Sequence, residues 1–232
     1  MESTRQPKEY GLLFIAAMAR AAVAGIKTQT RRLPTASNSL VDGVGISAKR
    51  WADMQFDWSR AVVDKGPSPA GNPGPYLHVP AGNGETWHRI YPRYQVGDRI
   101  WGRETWAPCG RNSAGVGPDF LYRADLTKGS YYPAVNRWTP SIHMPRIAAR
   151  IVRDIVGVRV ERLQDISEAD ALAEGIAQVV RDKLPVQQCG EYDGIDVDPV
   201  DLYRDIWESI NGPGSWDANP PVIVIEFAGV QS

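Results

Sequence analysis

The stretch GLLFIAAMARAAVAGIKTQTRR, Gly11 to Arg32, decides how the rest of the chain is read. Its opening GLLFI is an apolar run that reads as a buried strand, and the alanine-rich AAMARAAVAG behind it has high helix propensity. Gly25 supplies the usual helix stop. The opening unit is therefore strand, helix, and then the basic segment Lys27-Thr28-Gln29-Thr30-Arg31-Arg32, closed by Pro34.

Beyond it, residues 34 to 93 loosen. The run KGPSPAGNPGP at 65 to 75 is turn chemistry that neither a helix nor a central strand tolerates, so this region reads as an insertion with sparse secondary structure. Its aromatics, Trp51, Phe56, Trp58, Tyr76 and Trp87, favour a packed flap over a free linker. YQVGDRIWGRETWA at 94 to 107 predicts a turn at Gly97-Asp98 feeding a strand, and FLYRA at 120 to 124 a further strand. IAARIVRDIVGVRVERL at 147 to 163 predicts one long bent strand or two strands broken near Gly157. ISEADALAEGI has Ser167 as N-cap and Gly175 as stop, which predicts a short helix. DPVDLYRDIWESING predicts a second, capped by Asp198, with Pro199 in its first turn and an apolar stripe of Leu202, Ile206 and Ile210. PPVIVIEFAG closes as a buried strand. Strands that do not alternate regularly with long helices suggest a mainly β, α+β chain, a small mixed barrel with two or three short peripheral helices, more than a doubly wound sheet. It is read as a single domain over residues 1–232.

The 232 residues, 43% of them hydrophobic, can supply a real core. No window approaches the run of roughly 18 apolar residues that a membrane span needs, and MESTRQPKEY has no signal-peptide core, so a cytoplasmic location is expected. Cys109 and Cys189 lie far apart and read as ordinary reduced thiols. His78, His88 and His143 show no metal-site spacing, which disfavours metal-dependent catalysis; no metal and no cofactor are expected. The formal charge of −1 hides an asymmetry: residues 1–160 carry a net +10 and residues 161–232 a net −11. The acidic remainder argues against indiscriminate coating of polyanions, and a local, shaped basic site is the better expectation.

A short helix ending in Gly25, then KTQTRR, VGDRIW, LQDISEADALAEGI and finally VIVIEF stand in one order. In that order they resemble the ASCH family, particularly its longer members carried by bacteriophages and prophages, and the resemblance leaves out only the insertion. It implies a PUA-like β-barrel. One small bacterial group within that superfamily hydrolyses 4-acetylcytidine at its exocyclic amide with a lysine, a threonine and a glutamate. Its lysine and threonine lie in a Gly-x-Lys-Thr-x-Thr segment, matched here by Gly25 to Thr30, so the resemblance implies Lys27 and Thr30 as catalytic. Its glutamate is matched by Glu174 in ISEADALAEG.

Amide hydrolysis without a metal needs a nucleophile, a base for its proton, and donors for the oxyanion. Thr30 can be the nucleophile or orient a water. Lys27 as base must be able to lose its proton, which partial burial or the neighbouring Arg31 and Arg32 would promote. Glu174 can orient Lys27 or give a proton to the leaving amine. Lys27 and Thr30, three apart, point to opposite faces of a regular strand, so a bulge or turn must interrupt it. Without a site, the segment would be an ordinary solvated edge strand.

Arg31 and Arg32 are also candidate substrate-binding residues. So are Trp101 and Arg103 of WGRETW, which can stack on and hydrogen-bond a base, and His143 with Arg146 at a loop rim. Glu104 and Trp207 read as structural. The expected partner is a nucleoside or modified nucleobase, with RNA or single-stranded nucleic acid as a second class and no membrane, the protein being a monomer or small homo-oligomer. The rival function is a non-catalytic module that holds a modified base in RNA or DNA. A ribonuclease lacks a convincing histidine pair or carboxylate cluster.

Overall fold

The computed structural model describes residues 5–69, 71, 74–82, 84–111, 118–126, 135, 137–178 and 198–229; Cys189 lies outside them. The chain is α+β and mainly sheet. The opening unit forms as read: β1 (Glu9–Leu13), α1 (Ala16–Val23) and β2 (Gln29–Arg32). The later elements are β7 (Arg99–Arg103), β8 (Trp106–Arg111), β9 (Pro118–Tyr122), β10 (Val152–Arg162), α3 (Glu168–Ala173), α4 (Pro199–Asn211) and β11 (Pro221–Phe227). Strand β10 is the long bent strand, with a register shift between Ile155 and Gly157. Ser167 caps α3 by accepting from the Asp170 N–H, and Asp198 caps α4 by accepting from the Val200 N–H.

The main sheet has the order β1-β7-β10-β11-β2; β1 and β7 are parallel, and the other pairs are antiparallel. The closed barrel expected from the resemblance is corrected here, because the sheets stay open. Strands β1 and β2 form opposite edges, and the chain passes from one to the other through α1. The two edges are thus not paired with each other but linked along the chain by this helix. Its residues Ala19, Ala21 and Ala22 are fully buried, side chains small enough for close packing.

The second correction concerns residues 34 to 93. They hold β3 (Ser39–Val41), α2 (Ala48–Asp53), β4 (Val62–Asp64), β5 (Tyr76–Pro80) and β6 (Trp87–Pro92), and the strands make an antiparallel sheet in the order β3-β6-β5-β4. Two of these strands are three residues long, and β5 and β6 each end in proline. Too little alternation is left for a periodicity argument. Leu77, Val79 and Ile90 are buried in the same core cluster as Ile155, Val160 and Ile223 of the main sheet. Arg162 at the end of β10 fastens the insertion by donating to the carbonyls of Trp58 (3.0 Å), Ser59 (3.3 Å) and Ala61. No helix among the described residues is long and apolar enough to cross a membrane.

Candidate active site

Two helix ends meet to build the site. At the end of α1, Gly25 adopts a left-handed conformation (φ 75°), and the N–H groups of Ile26 and Lys27 both donate to the Ala21 carbonyl, at 2.9 and 3.1 Å. The Thr28 N–H then donates to the Ala173 carbonyl at 2.8 Å, stitching this turn to the end of α3. Glu174 caps α3, and Gly175 follows with φ 83°. The interruption that the Lys27-to-Thr30 spacing demanded is this turn: Lys27 precedes β2, and Thr30 lies within it opposite Ile225 of β11.

Lys27 is 1% exposed. Its Nζ donates to Glu174 Oε2 at 2.7 Å and to the Glu174 carbonyl at 2.8 Å, and lies 5.7 Å from the centre of the Phe14 ring. Burial drives the Lys27 pKa below its ordinary value, against the attraction of Glu174, and Arg32 and Arg31 push it the same way as burial. The direction is the one that a base requires. A carboxylate at a helix C-terminus opposes the helix dipole, so the two cations on Glu174, Lys27 and Arg31 (3.3 Å from Oε1), hold it there.

Arg31 has little left for a substrate. It donates to Glu161 Oε1 through Nε (3.0 Å) and Nη2 (2.7 Å), lies 3.2 Å from Asp170, and stands 5.9 Å from the centre of the Tyr203 ring. Burial opposes its charge, but Glu174 and Glu161 more than restore it and raise its pKa. Gln29 and Arg159 complete the lattice through Asp170, at 2.7 and 3.0 Å. Arg31, a candidate substrate-binding residue that also lines the adjoining cavity, is thus a clamp on Glu174.

Against these groups lies a cavity of about 270 Å³, whose walls include Thr30, Arg32 and Glu174, the rings of Phe14, Tyr203 and Trp207, and Ser141. Glu174 and Thr30 share this wall, whereas Lys27 stands behind Glu174. Among the described residues no hydrogen bond joins the Thr30 hydroxyl to Lys27. Burial, and then the Glu174 carboxylate, raise the Tyr203 pKa well above its ordinary value and keep the phenol neutral.

Four sequence candidates stand away from the cavity wall. Arg103 lies over the Trp101 ring (5.4 Å) and donates to the Ile142 carbonyl; Arg146 pairs with Glu9 at 2.7 Å; His143 is exposed in a short 3-10 turn. Glu104 is buried and holds Arg150 by two 2.8 Å bonds, the structural role read for it in the sequence. Tyr203 and Trp207 were hidden in sequence because they sit beside the apolar stripe of α4 and read as core; Ile210, 55% exposed, shows that the stripe runs past the core to the cavity mouth. Among the described residues no group of three or more His, Cys, Asp or Glu could hold a metal ion.

Replacing Gly175 with alanine places a Cβ 2.8 Å from the Ala21 Cβ and 3.0 Å from the Lys27 Cβ, in a left-handed conformation. A loss of about 2 kcal/mol or more in a urea titration is expected. Unchanged stability would mean that the two helix ends are not locked together.

Searches against protein-family models, curated proteins and solved structures return no match to this chain.

Proposed function

We propose that the chain is an amidohydrolase of ASCH type that removes the acyl group from the exocyclic amine of an acylated cytidine or a related nucleoside. The observation that supports this reading most is the buried Lys27–Glu174 pair, joined at 2.7 Å beside a cavity that both Glu174 and Thr30 line. The ordered motifs that resemble that family support it independently.

In this reading the nucleobase lies among Phe14, Tyr203 and Trp207, with the amide toward Thr30 and Glu174. The Thr30 oxygen, or a water that it orients, attacks the acyl carbon. The attacking group's proton passes to the Glu174 carboxylate, which shares it with neutral Lys27 through their hydrogen bond, and the pair then delivers it to the departing exocyclic nitrogen as the C–N bond breaks. An acyl group left on Thr30 is released by a water whose proton passes to the same pair and from there to the Thr30 oxygen as the acyl C–O bond breaks. Two strongly coupled groups behave here as one proton store, and the pKa that matters belongs to the pair. Burial makes that store usable by bringing the Lys27 pKa down.

Incubation with 4-acetylcytidine, following loss of the acylated chromophore, is expected to show catalytic turnover to cytidine and acetate. Saturable binding without product would favour a module that holds a modified base. Absence of turnover on every acylated cytosine derivative would sink the reading.

A further inference from the structure

The insertion sheet carries a second surface that the cavity chemistry does not use. Strand alternation places His78, Arg89 and Trp87 on the face opposite the buried Leu77, Val79 and Ile90: His78 stands across from Arg89, and Pro80 from Trp87. His78, Trp87 and Arg89 are half-buried and the edge residue Val62, across from His78, is 54% exposed, so this part of the face meets solvent, whereas Tyr76 and Tyr91 on the same face are buried. The Trp87 ring lies 4.9 Å from the His78 ring, and the exposed Arg60 guanidinium lies 5.3 Å from the Trp87 centroid. Burial, and then Arg89, push the His78 pKa down, so that at neutral pH it offers an uncharged aromatic ring.

Charge points to the occupant. Among the described residues neither Arg60 nor Arg89 has a carboxylate within ion-pair distance, in contrast to the paired arginines around Glu174. Of the acids that the patch senses, Asp57 acts on Arg60 from beyond ion-pair distance and Asp42 and Asp64 act on His78; Asp42 is bound by His88 Nδ1 at 2.7 Å, and Asp64 by the Tyr76 hydroxyl at 2.8 Å and the Gly66 N–H at 2.9 Å. Guanidinium charge without an ion-pair partner beside a tryptophan and an imidazole ring is what a flexible polyanion with flat faces requires. Phosphates neutralise the arginines, and unpaired bases stack on the rings. A duplex hides its base faces, and an acidic protein segment would leave the rings unused.

We propose that the outer face of β5 and β6, with Arg60, is a binding platform for single-stranded polynucleotide, separate from the cavity and independent of the reading given to it. The probe is a short fluorescein-labelled oligouridylate, with oligothymidylate alongside, followed by fluorescence anisotropy over a salt series. Both are expected to bind, because stacking ignores the sugar, and affinity is expected to fall as salt rises. Trp87→Leu is expected to weaken binding about tenfold or more, Trp87→Phe to retain most of it, and Arg60→Ala to weaken it and flatten the salt dependence.

Thermal melts of each variant separate loss of binding from loss of fold, and Lys27→Met is expected to bind the probe as the unaltered protein does. That last arm keeps the two proposals apart, since a chain without amidase activity still binds here. Equal affinity of Trp87→Leu and the parent, equal competition by duplex, or no binding at low salt overturns the platform.

Discussion

Lys27→Met is expected to slow hydrolysis of 4-acetylcytidine by about a hundredfold to ten-thousandfold, the range that proton transfer by a placed side chain supplies. Methionine keeps the length and apolar stem of lysine and removes only the amine. Glu174 then keeps Arg31 at 3.3 Å but loses the partner at 2.7 Å with which it would share a proton. Since one cation remains on Glu174, the stability cost should stay below the roughly 3–5 kcal/mol seen when a buried charge loses its whole partnership. A purely structural Lys27 predicts the reverse pattern, with large destabilisation and no loss of turnover in the molecules that remain folded. Urea titration and initial rates on the same preparation distinguish the two.

The pH dependence of stability gives an internal check on the same residue. Burial holds the folded Lys27 pKa below the 10.5 of an unperturbed lysine. Between those two values the unfolded chain carries a proton that the native chain has lost, so stability contributed by this group rises with pH across that window and falls as pH drops through the folded pKa. Lys27→Met removes this rise. A variant whose stability climbs toward pH 10 as steeply as the parent's would mean that Lys27 is not the perturbed group.

Element by element, the sequence is most legible where a cap, a glycine and a periodic stripe agree. Ser167 with Gly175 and Asp198 with Gly212 bracket the two later helices, and the β-branched run around Gly157 predicts both the long strand and its bulge. Legibility fails in the insertion, where β3 and β4 are too short to alternate and the half-buried His78, Trp87 and Arg89, with Tyr76 and Tyr91 buried beside them, blur the alternation around the buried Leu77, Val79 and Ile90. Sheet closure is equally hidden, because whether β1 and β2 meet depends on where α1 crosses, a matter of packing with no local signature. At the site, the Lys27–Glu174 contact follows from motifs 147 residues apart only through the resemblance. The clamp that Arg31 makes takes three carboxylates from β10, α3 and the α3 cap, which no spacing rule brings together.

Glu174→Gln tests the proton store from its other half. The amide keeps the shape of the carboxylate, but its single oxygen can accept from Lys27 or from Arg31 and not replace both carboxylate oxygens, and it cannot take a proton, so turnover is expected to fall about a hundredfold or more. Truncation to alanine goes further. It strips Lys27 of its only side-chain acceptor among the described residues and Arg31 of one of its carboxylates, with an expected cost of about 3–5 kcal/mol in urea titration, against about 1–3 kcal/mol for glutamine. The residual activity of Glu174→Gln also carries a sign. The Glu174 charge raises the Lys27 pKa against the effect of burial. With that charge gone, Lys27 holds its proton less tightly, and the acid limb of the pH–rate profile moves to lower pH. An acid limb displaced to higher pH would mean that Glu174 does not hold the Lys27 proton in place, and full activity in Glu174→Gln would remove it from the chemistry altogether.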